Sequence, residues 1–219
     1  MKKLFVMMLM SAMMFSMTAC GGDTSGSPET DGNGTPESTP KVTAEKIEPA
    51  KDGEITLNTD NIAVVVKEKK VNMPYNLAEL EAAGVPVMEG LGDTELASGD
   101  SFAPNLYLDE AEEYMLIPSY YNEGDETITL AKAEARTISM VSYASGPVDQ
   151  GVSILGVTLG MTKSDAKALL GDPMSDDGSY CMWQIAVADA DYVGNLSIYF
   201  TSDADDAGAS EVRLDFMQW

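Results

Sequence analysis

Short runs of apolar residues that alternate with polar ones cover most of the chain. Alternation with a period of two, as in Thr127–Leu130, is typical of a strand with one face on a core. The strands predicted from this pattern are Ile55–Leu57, Ile62–Val66, Val71–Met73, Tyr114–Tyr121, Thr127–Lys132, Thr137–Tyr143, Val152–Leu155, Val157–Leu159, Tyr180–Val187, Asn195–Thr201 and Glu211–Met217.

A short helix is predicted immediately after Asn76. Asn76 and Glu79 have the spacing of a capping box, in which each side chain accepts a hydrogen bond from the other residue's backbone N–H. Gly84 suits the left-handed position that follows a helix, and Pro86 prevents the helix from continuing.

A second short helix is predicted after Thr162, within the segment Leu159–Pro173. Gly160 and Met161 precede the cap, and an acidic residue again lies three positions after it, near the positive end of the helix. Gly171 and Pro173 repeat the Gly-x-Pro stop, 87 positions after Gly84 and Pro86.

The two helical segments agree in cap, stop and spacing, and three predicted strands follow each. We therefore predict an α+β fold of two tandem repeats, each a short helix packed on a three-stranded antiparallel sheet. The first repeat is expected at 51–148 and the second at 149–219. One such unit buries little surface alone, so the two are expected to share a core.

The motif in the second helix resembles a known lipoprotein family. Gly160-Met161-Thr162, followed by Gly171 and Pro173 and then by Trp183 before a hairpin, is similar to the SmpA/OmlA (BamE-like) domain. The fold of that domain, in tandem, is that of the β-lactamase inhibitory protein. The resemblance implies helices on antiparallel sheets, an extracytoplasmic location and contacts with other proteins. It transfers no contact residue to this chain.

The amino terminus predicts secretion and a lipid anchor. Lys2 and Lys3 precede the uncharged, Met-rich segment Leu4–Ala19, which has the character of a signal peptide covering 1–19. Cys20 follows two small residues, as in the lipobox of bacterial lipoproteins, where the cysteine is lipidated and becomes the first mature residue. An ordinary signal peptide followed by a chance cysteine is the alternative.

A flexible, acidic tether is expected to separate the anchor from the folded part. Residues 20–50 are dominated by Gly, Ser, Thr, Pro and Glu, and such a segment buries too little apolar surface to offset its ordering entropy.

Loss of Lys2 and Lys3 with the signal peptide changes the net charge from −23 to −25. Nucleic acid is therefore not expected as a partner. Solubility outside the cell explains such a charge, and recognition of a basic partner is the alternative.

Catalysis, metal binding and cofactor binding have little support in the sequence. The chain has no histidine, which removes Ser-His and Cys-His catalysis. Cys181 lies in an apolar, strand-like segment, where a buried structural thiol is expected rather than a nucleophile. Asp203, Asp205 and Gly208 partly match a calcium loop, but Leu214 occupies the position of the bidentate acid. A carboxylate-based hydrolase is the enzymatic alternative, because acidic pairs are abundant.

Aromatic residues on or beside the predicted strands offer a binding surface if several face outward, although core packing also explains them. They are Tyr107, Tyr114, Tyr120, Tyr121, Tyr143, Tyr180, Trp183, Tyr192, Tyr199 and Trp219. Our leading hypothesis is a bacterial lipoprotein on the extracytoplasmic face of the cell membrane. It would bind another extracytoplasmic protein and catalyse no reaction. A lipoprotein that binds solutes or glycans through its aromatic residues is the second hypothesis.

Overall fold

A computed structural model describes residues 47–144 and 151–218, with only the backbone described for Tyr192, Met217 and Gln218. The predicted signal peptide, Cys20, most of the predicted tether, the repeat boundary at 148/149 and Trp219 lie outside the described residues. Nearly all of the two predicted repeats lies within them.

The described residues form fourteen strands and two α-helices, so the fold is mostly β. The strands are β1 Glu54–Leu57, β2 Ala63–Val66, β3 Lys69–Asn72, β4 Glu95–Leu96, β5 Ser101–Phe102, β6 Leu106–Tyr107, β7 Tyr114–Tyr121, β8 Ile128–Thr129, β9 Glu134–Ser142, β10 Val152–Ile154, β11 Ser175–Asp177, β12 Tyr180–Val187, β13 Tyr192–Phe200 and β14 Ala209–Gln218. The helices are α1 Leu77–Ala83 and α2 Lys163–Leu170, and three single 3-10 turns lie at Thr59–Asn61, Leu91–Asp93 and Leu130–Lys132.

One nine-stranded sheet dominates the architecture. Its strands lie in the order β1-β12-β13-β14-β9-β7-β5, with β11 also paired to β12 and β6 also paired to β7. All its pairs are antiparallel except β1 with β12, so the sheet is mixed. Two smaller sheets, β10-β2-β3 and β4-β8, complete the described strands.

The prediction of two helix-on-three-strand repeats is wrong. Strand β14 pairs with β9 through five residue pairs, so strands from both halves of the chain form one continuous sheet. Strands from the two halves also pair at two other places, where β1 lies beside β12 and β10 lies beside β2. A large mixed sheet therefore replaces the two expected three-stranded sheets.

Both helices pack against the same face of the large sheet. In α1, Leu77, Leu80 and Ala83 are buried, and in α2 Ala166 and Leu170 are buried. The sheet presents alternate residues to them, with Trp183, Ile185, Leu196, Ile138 and Leu116 fully buried. These side chains and those of β2, β3 and β10 form one continuous hydrophobic core.

The amino end of each helix has a side-chain cap. In α1, the Asn76 Oδ1 accepts the Glu79 N–H at 3.1 Å, and the Glu79 Oε2 accepts the Asn76 N–H at 2.8 Å. In α2, the Thr162 Oγ1 accepts the Asp165 N–H at 3.0 Å. Each bond satisfies a backbone donor that the helix itself leaves free.

The carboxyl ends of the helices differ from each other. Gly84 has the left-handed conformation, with φ of 103° and ψ of 19°. Gly171 also has a positive φ, of 83°, but its ψ of −174° is extended rather than left-handed. The Ala50 backbone passes so close that a Cβ on Gly171 would lie 2.7 Å from the Ala50 nitrogen. Close approach of the chain, as well as helix termination, therefore requires glycine at position 171.

Predictions for single strands succeed where the alternating run is long. Strands β7 and β12 have the predicted bounds, Tyr114–Tyr121 and Tyr180–Val187. The predicted strand Thr127–Lys132 is wrong beyond Thr129, where a 3-10 turn begins. The segment Val157–Leu159 makes only an isolated bridge with Ile154 and no strand.

Candidate functional site

The face of the large sheet opposite the helices is the candidate functional surface, and we call it the outer face. On β12, Cys181, Trp183 and Ile185 point to the core with no exposed surface, whereas the alternate residues Tyr180, Met182 and Gln184 remain partly exposed. The outer face comprises Tyr180, Met182, Gln184 and Ala186 of β12, Val193, Asn195, Ser197 and Tyr199 of β13, Glu211, Arg213 and Asp215 of β14, Thr137, Ser139 and Val141 of β9, and Met115, Ile117 and Ser119 of β7.

Small polar side chains form the floor of the outer face. Ser197 lies directly opposite Arg213 on one side, and Ser139 lies opposite Arg213 on the other. Ser197, Ser139 and Thr137 are themselves buried. Longer neighbouring side chains therefore shield them, and Tyr199 and Arg213 stand above the floor.

A bidentate ion pair lies at the centre of the outer face. The Arg213 Nε and Nη2 donate to the two carboxylate oxygens of Asp215 at 2.7 and 3.0 Å. The Asp215 hydrogen bond raises the pKa of Arg213. The bidentate contact restricts the guanidinium, and the Asp215 carboxylate offsets its charge before any partner arrives.

A tyrosine pair, Tyr180 and Tyr199, occupies one end of the outer face. The two ring centroids are 4.9 Å apart with the planes inclined at 47°. The Tyr180 hydroxyl lies 3.2 Å from the Ser197 Oγ, which orients one ring, and Tyr199 is 42% exposed. Burial of its ring, then Tyr180 and Glu211, raise the pKa of Tyr199. The pair is a rigid aromatic surface with one open ring.

Carboxylates border the tyrosine pair on both sides. In the strand register, Asp177 lies opposite Tyr180 and Glu211 lies opposite Tyr199. The loop between β13 and β14, with Asp203, Asp205 and Asp206, lies at the same end of the sheet. Asp203 also approaches the β11–β12 turn, since a Cβ on Gly178 would lie 3.3 Å from its Cβ.

The aromatic residues singled out in the sequence divide between the two faces. Tyr114, Tyr120 and Trp183 are buried in the core, whereas Tyr180 and Tyr199 lie on the outer face. Tyr107 and Tyr121 border the outer face on the side of β7, and Tyr143 is largely exposed just after β9. The Tyr192 side chain and Trp219 lie outside the described residues. Sequence reasoning missed Arg213 and Asp215, whose i, i+2 spacing on a strand was the available signal.

The motif residues of the helical segments lie away from the outer face. Asn76, Glu79, Gly84 and Pro86 belong to the ends of α1 and the loop that follows it. Gly160, Met161 and Thr162 lead into α2, and Gly171 and Pro173 follow it. The Gly160 N–H donates to the Ala209 carbonyl oxygen at 2.8 Å, and the Met161 carbonyl oxygen accepts from the Ala209 N–H at 2.9 Å. These two hydrogen bonds hold the segment that leads into α2 to β14.

The acidic groups near α2 are engaged in structure. Asp176 accepts hydrogen bonds from Lys163 at 2.6 Å and from Lys167, and the Lys163 hydrogen bond lowers the pKa of Asp176 to about 2. Burial raises the pKa of the Cys181 thiol to about 11, which makes it a poor nucleophile at neutral pH. Within 47–144 and 151–218, no three Cys, Asp or Glu residues lie together as a metal site would require.

A shallow apolar cleft of about 300 Å³, part of it open to solvent, lies elsewhere on the protein. Its lining residues are Thr59, Ile62, Met73, Pro74, Arg136 and Phe216. Glu123 already accepts a hydrogen bond from the Arg136 guanidinium at 2.7 Å. Because that volume includes open solvent, the enclosed part of the cleft is smaller than a typical small-molecule site. The outer face is larger and is therefore the stronger candidate.

Two further findings bear on identity. Among the helices in the described part of the chain, none has the length and apolar character needed to cross a membrane. Comparison with protein-family models, with curated proteins and with solved structures finds no match to this chain.

Proposed function

We propose that this protein is a lipid-anchored, extracytoplasmic lipoprotein that binds another protein through the outer face and catalyses no reaction. The observation that carries the proposal is the contrast between the two faces of one sheet. Core-facing residues such as Trp183 and Leu196 are fully buried, whereas Tyr180 and Met182 beside them remain partly exposed. A partner is the physical means of covering such a surface.

The size of the outer face favours a protein partner. It extends over the five neighbouring strands β12, β13, β14, β9 and β7. With strands about 4.8 Å apart and about seven residues at roughly 3.3 Å each, its projected area is about 550 Å². A standard protein–protein interface buries about 800 Å² on each partner, so the two areas are of the same order.

The composition of the outer face agrees with this use. Its tyrosine pair and Arg213 are residue types enriched at interface centres. The small side chains Ser197, Ser139 and Thr137 are buried beneath these longer ones, so a partner would contact mainly the tyrosine pair and Arg213. Because Arg213 is paired with Asp215, a partner that covers this guanidinium does not bury it as an unpaired charge.

The proposal predicts protein capture that depends on the outer face. The mature chain would be immobilised and exposed to an envelope extract of the cells that produce it. We expect proteins retained by the wild type to be lost with the double variant Met182→Ala/Tyr199→Ala. Met88→Ala, at a 70% exposed position after α1, is the control and should retain them. Equal retention by all three forms would overturn the proposal.

Lipid anchoring is proposed from the signal-peptide pattern and the position of Cys20. Cys20→Ala should move the protein from the membrane fraction to the soluble fraction or leave its signal peptide uncleaved. Metabolic labelling with an alkynyl fatty acid, followed by fractionation, measures both outcomes. Labelling that persists in Cys20→Ala would contradict the anchor without affecting the proposed binding surface.

Glycan binding by the tyrosine pair is the second candidate. The observation that favours it is the open ring of Tyr199, because an exposed aromatic face also stacks on sugars. A glycan array separates the two functions. Saturable glycan binding that Tyr199→Ala abolishes, together with no outer-face-dependent protein in the extract, would favour this alternative.

A further inference from the structure

The charge around the tyrosine pair defines the kind of protein that the outer face can accept. Asp177 and Glu211 border the pair, and the carboxylate of neither makes an ion pair or a hydrogen bond with another described residue. Of the cations nearby, Arg213 is held by Asp215. Arg213 also interacts electrostatically with Glu211, but its hydrogen bonds go to Asp215, so both carboxylates that flank the rings remain able to hydrogen-bond a cation of a partner.

The two lysines of α2 do not neutralise these carboxylates. Lys163 and Lys167 both bind Asp176, which alternates with Asp177 along β11 and faces the helix side of the sheet. Lys163 also donates to the Gly178 carbonyl oxygen at 2.9 Å and is buried. The negative charge on the outer face is thus separated from the lysines by the sheet itself.

Charge also argues against two other occupants of the outer face, namely the segment 21–46 of this chain and a second copy of the protein. The segment 21–46 of this chain carries five carboxylates and two lysines, so its net charge has the same sign as the border of the tyrosine pair. A second copy would bring Asp177 and Glu211 against another acidic surface, in a protein of net charge −23. Opposing like charges across an interface are unfavourable. A polyanion such as nucleic acid is excluded by the same reasoning.

We propose that the partner presents a positively charged surface, with a lysine or arginine side chain placed over the tyrosine pair between Asp177 and Glu211. This inference rests on the proposed function and specifies the partner. A cation within about 6 Å of an aromatic ring is attracted by its face. Side chains directly opposite on neighbouring strands are about 5 Å apart, so a single cation can contact a ring and a carboxylate together.

The test neutralises the two carboxylates and keeps everything else constant. Asp177→Asn/Glu211→Gln is compared with Asp125→Asn/Glu126→Gln, which changes the net charge equally at two exposed residues in the turn after β7. Proteins already shown to need Met182 and Tyr199 are the probes, and their affinity for the full mature chain is measured at low and at physiological salt. A second control, Tyr121→Ala, removes a ring that is 42% exposed, like Tyr199, at the opposite end of the sheet.

We expect the first double variant to weaken binding about threefold to tenfold at low salt, since each exposed ion pair contributes modestly. Asp125→Asn/Glu126→Gln and Tyr121→Ala should change the affinity by less than about twofold. Carbodiimide, which joins a carboxylate to a lysine in direct contact as an amide, should link Asp177 or Glu211 to the partner. Thermal melting of each variant checks that the fold is intact.

The outcomes separate the inference from the proposed function. An outer-face-dependent partner that binds Asp177→Asn/Glu211→Gln as tightly as wild type would overturn the cationic contact and leave the proposed function standing. Equal weakening by both double variants would also overturn it, because total charge and not this site would then control binding. If no protein in the extract depends on the outer face, the proposed function itself is wrong.

Discussion

The indole N–H of Trp183 donates to the carbonyl oxygen of Gly171 at 3.1 Å, joining the middle of β12 to the residue that ends α2. Trp183 is fully buried, so this bond satisfies a polar atom that has no access to solvent. Trp183→Phe removes the donor, leaves the Gly171 oxygen unpaired and reduces the packed volume. We expect the free energy of unfolding to fall by about 2–3 kcal/mol.

Urea unfolding followed by circular dichroism measures this loss for Trp183→Phe. Tyr121→Phe is the control, because it alters an exposed ring on the same sheet and should change the free energy of unfolding by less than about 0.5 kcal/mol. An unchanged midpoint for Trp183→Phe would show that the contact between the sheet and α2 contributes little to stability.

Asn122 organises the loops beyond β7. The two hydrogens on its Nδ2 serve the carbonyl oxygens of Leu96, Ala97 and Glu126, at 2.9, 3.0 and 2.8 Å, so one N–H is shared between two of them. Its Oδ1 accepts the Gly124 N–H at 3.1 Å. Asn122→Ala should lower the free energy of unfolding by about 2–3 kcal/mol, because buried carbonyls lose their donor.

The variant Asn122→Asp tests how a negative charge at the same buried position affects stability. An ionised carboxylate would face three carbonyl oxygens and donate to none, so this variant should be less stable than Asn122→Ala at neutral pH and should recover as acid protonates the carboxyl. Denaturant unfolding at pH 7 and pH 5 measures the recovery. Asn72→Asp, the same change at an exposed position of β3, should remain near wild type at both pH values.

The free energy of unfolding in acid should depend on the cluster of Asp176 with Lys163 and Lys167. Its hydrogen bonds from Lys163 and then Lys167 lower its pKa from 3.8 to about 2. A carboxyl with a lowered folded-state pKa stabilises the fold fully above its unfolded pKa and loses that contribution as the pH falls towards its folded pKa. The stabilisation should therefore be present above about pH 4 and disappear between pH 4 and pH 2.

Asp176→Asn should be less stable than wild type at pH 6, and the difference should shrink as the pH approaches 2. Thermal melting across this range measures the difference, with Asp177→Asn as the matched control because Asp177 makes no ion pair with a described residue. Parallel pH profiles for wild type and Asp176→Asn would contradict the assignment.

Cys181 should be chemically silent in the folded protein. Its side chain is fully buried, and burial raises the pKa of its thiol to about 11. In a chain that carries Cys20→Ser, so that Cys181 is the remaining cysteine, a disulfide reagent at pH 8 should give no reaction until denaturant is added. Rapid labelling of the native protein would show that this part of β12 opens readily.

Much of the local structure could be predicted because its causes are local. The capping box of Asn76 and Glu79 depends on residues three positions apart, and the long alternating runs define β7 and β12. The short strands β4, β5 and β6 carry too few residues for a period to be recognised. Gly171 illustrates the limit, because its need for glycine arises partly from Ala50, more than a hundred residues away.

By itself, the sequence determined the two helix caps, the long strands and the acidic charge, because each depends on composition or on residues close together in the chain. The tertiary structure alone decided that β14 pairs with β9, and hence that one mixed sheet replaces two repeats. Backbone hydrogen-bonding groups are the same in every strand, so an alternating pattern identifies a strand without naming its neighbour. That pairing extends the outer face across both halves of the chain, because it places Ser139 and Thr137 of β9 beside Arg213 and Asp215 of β14.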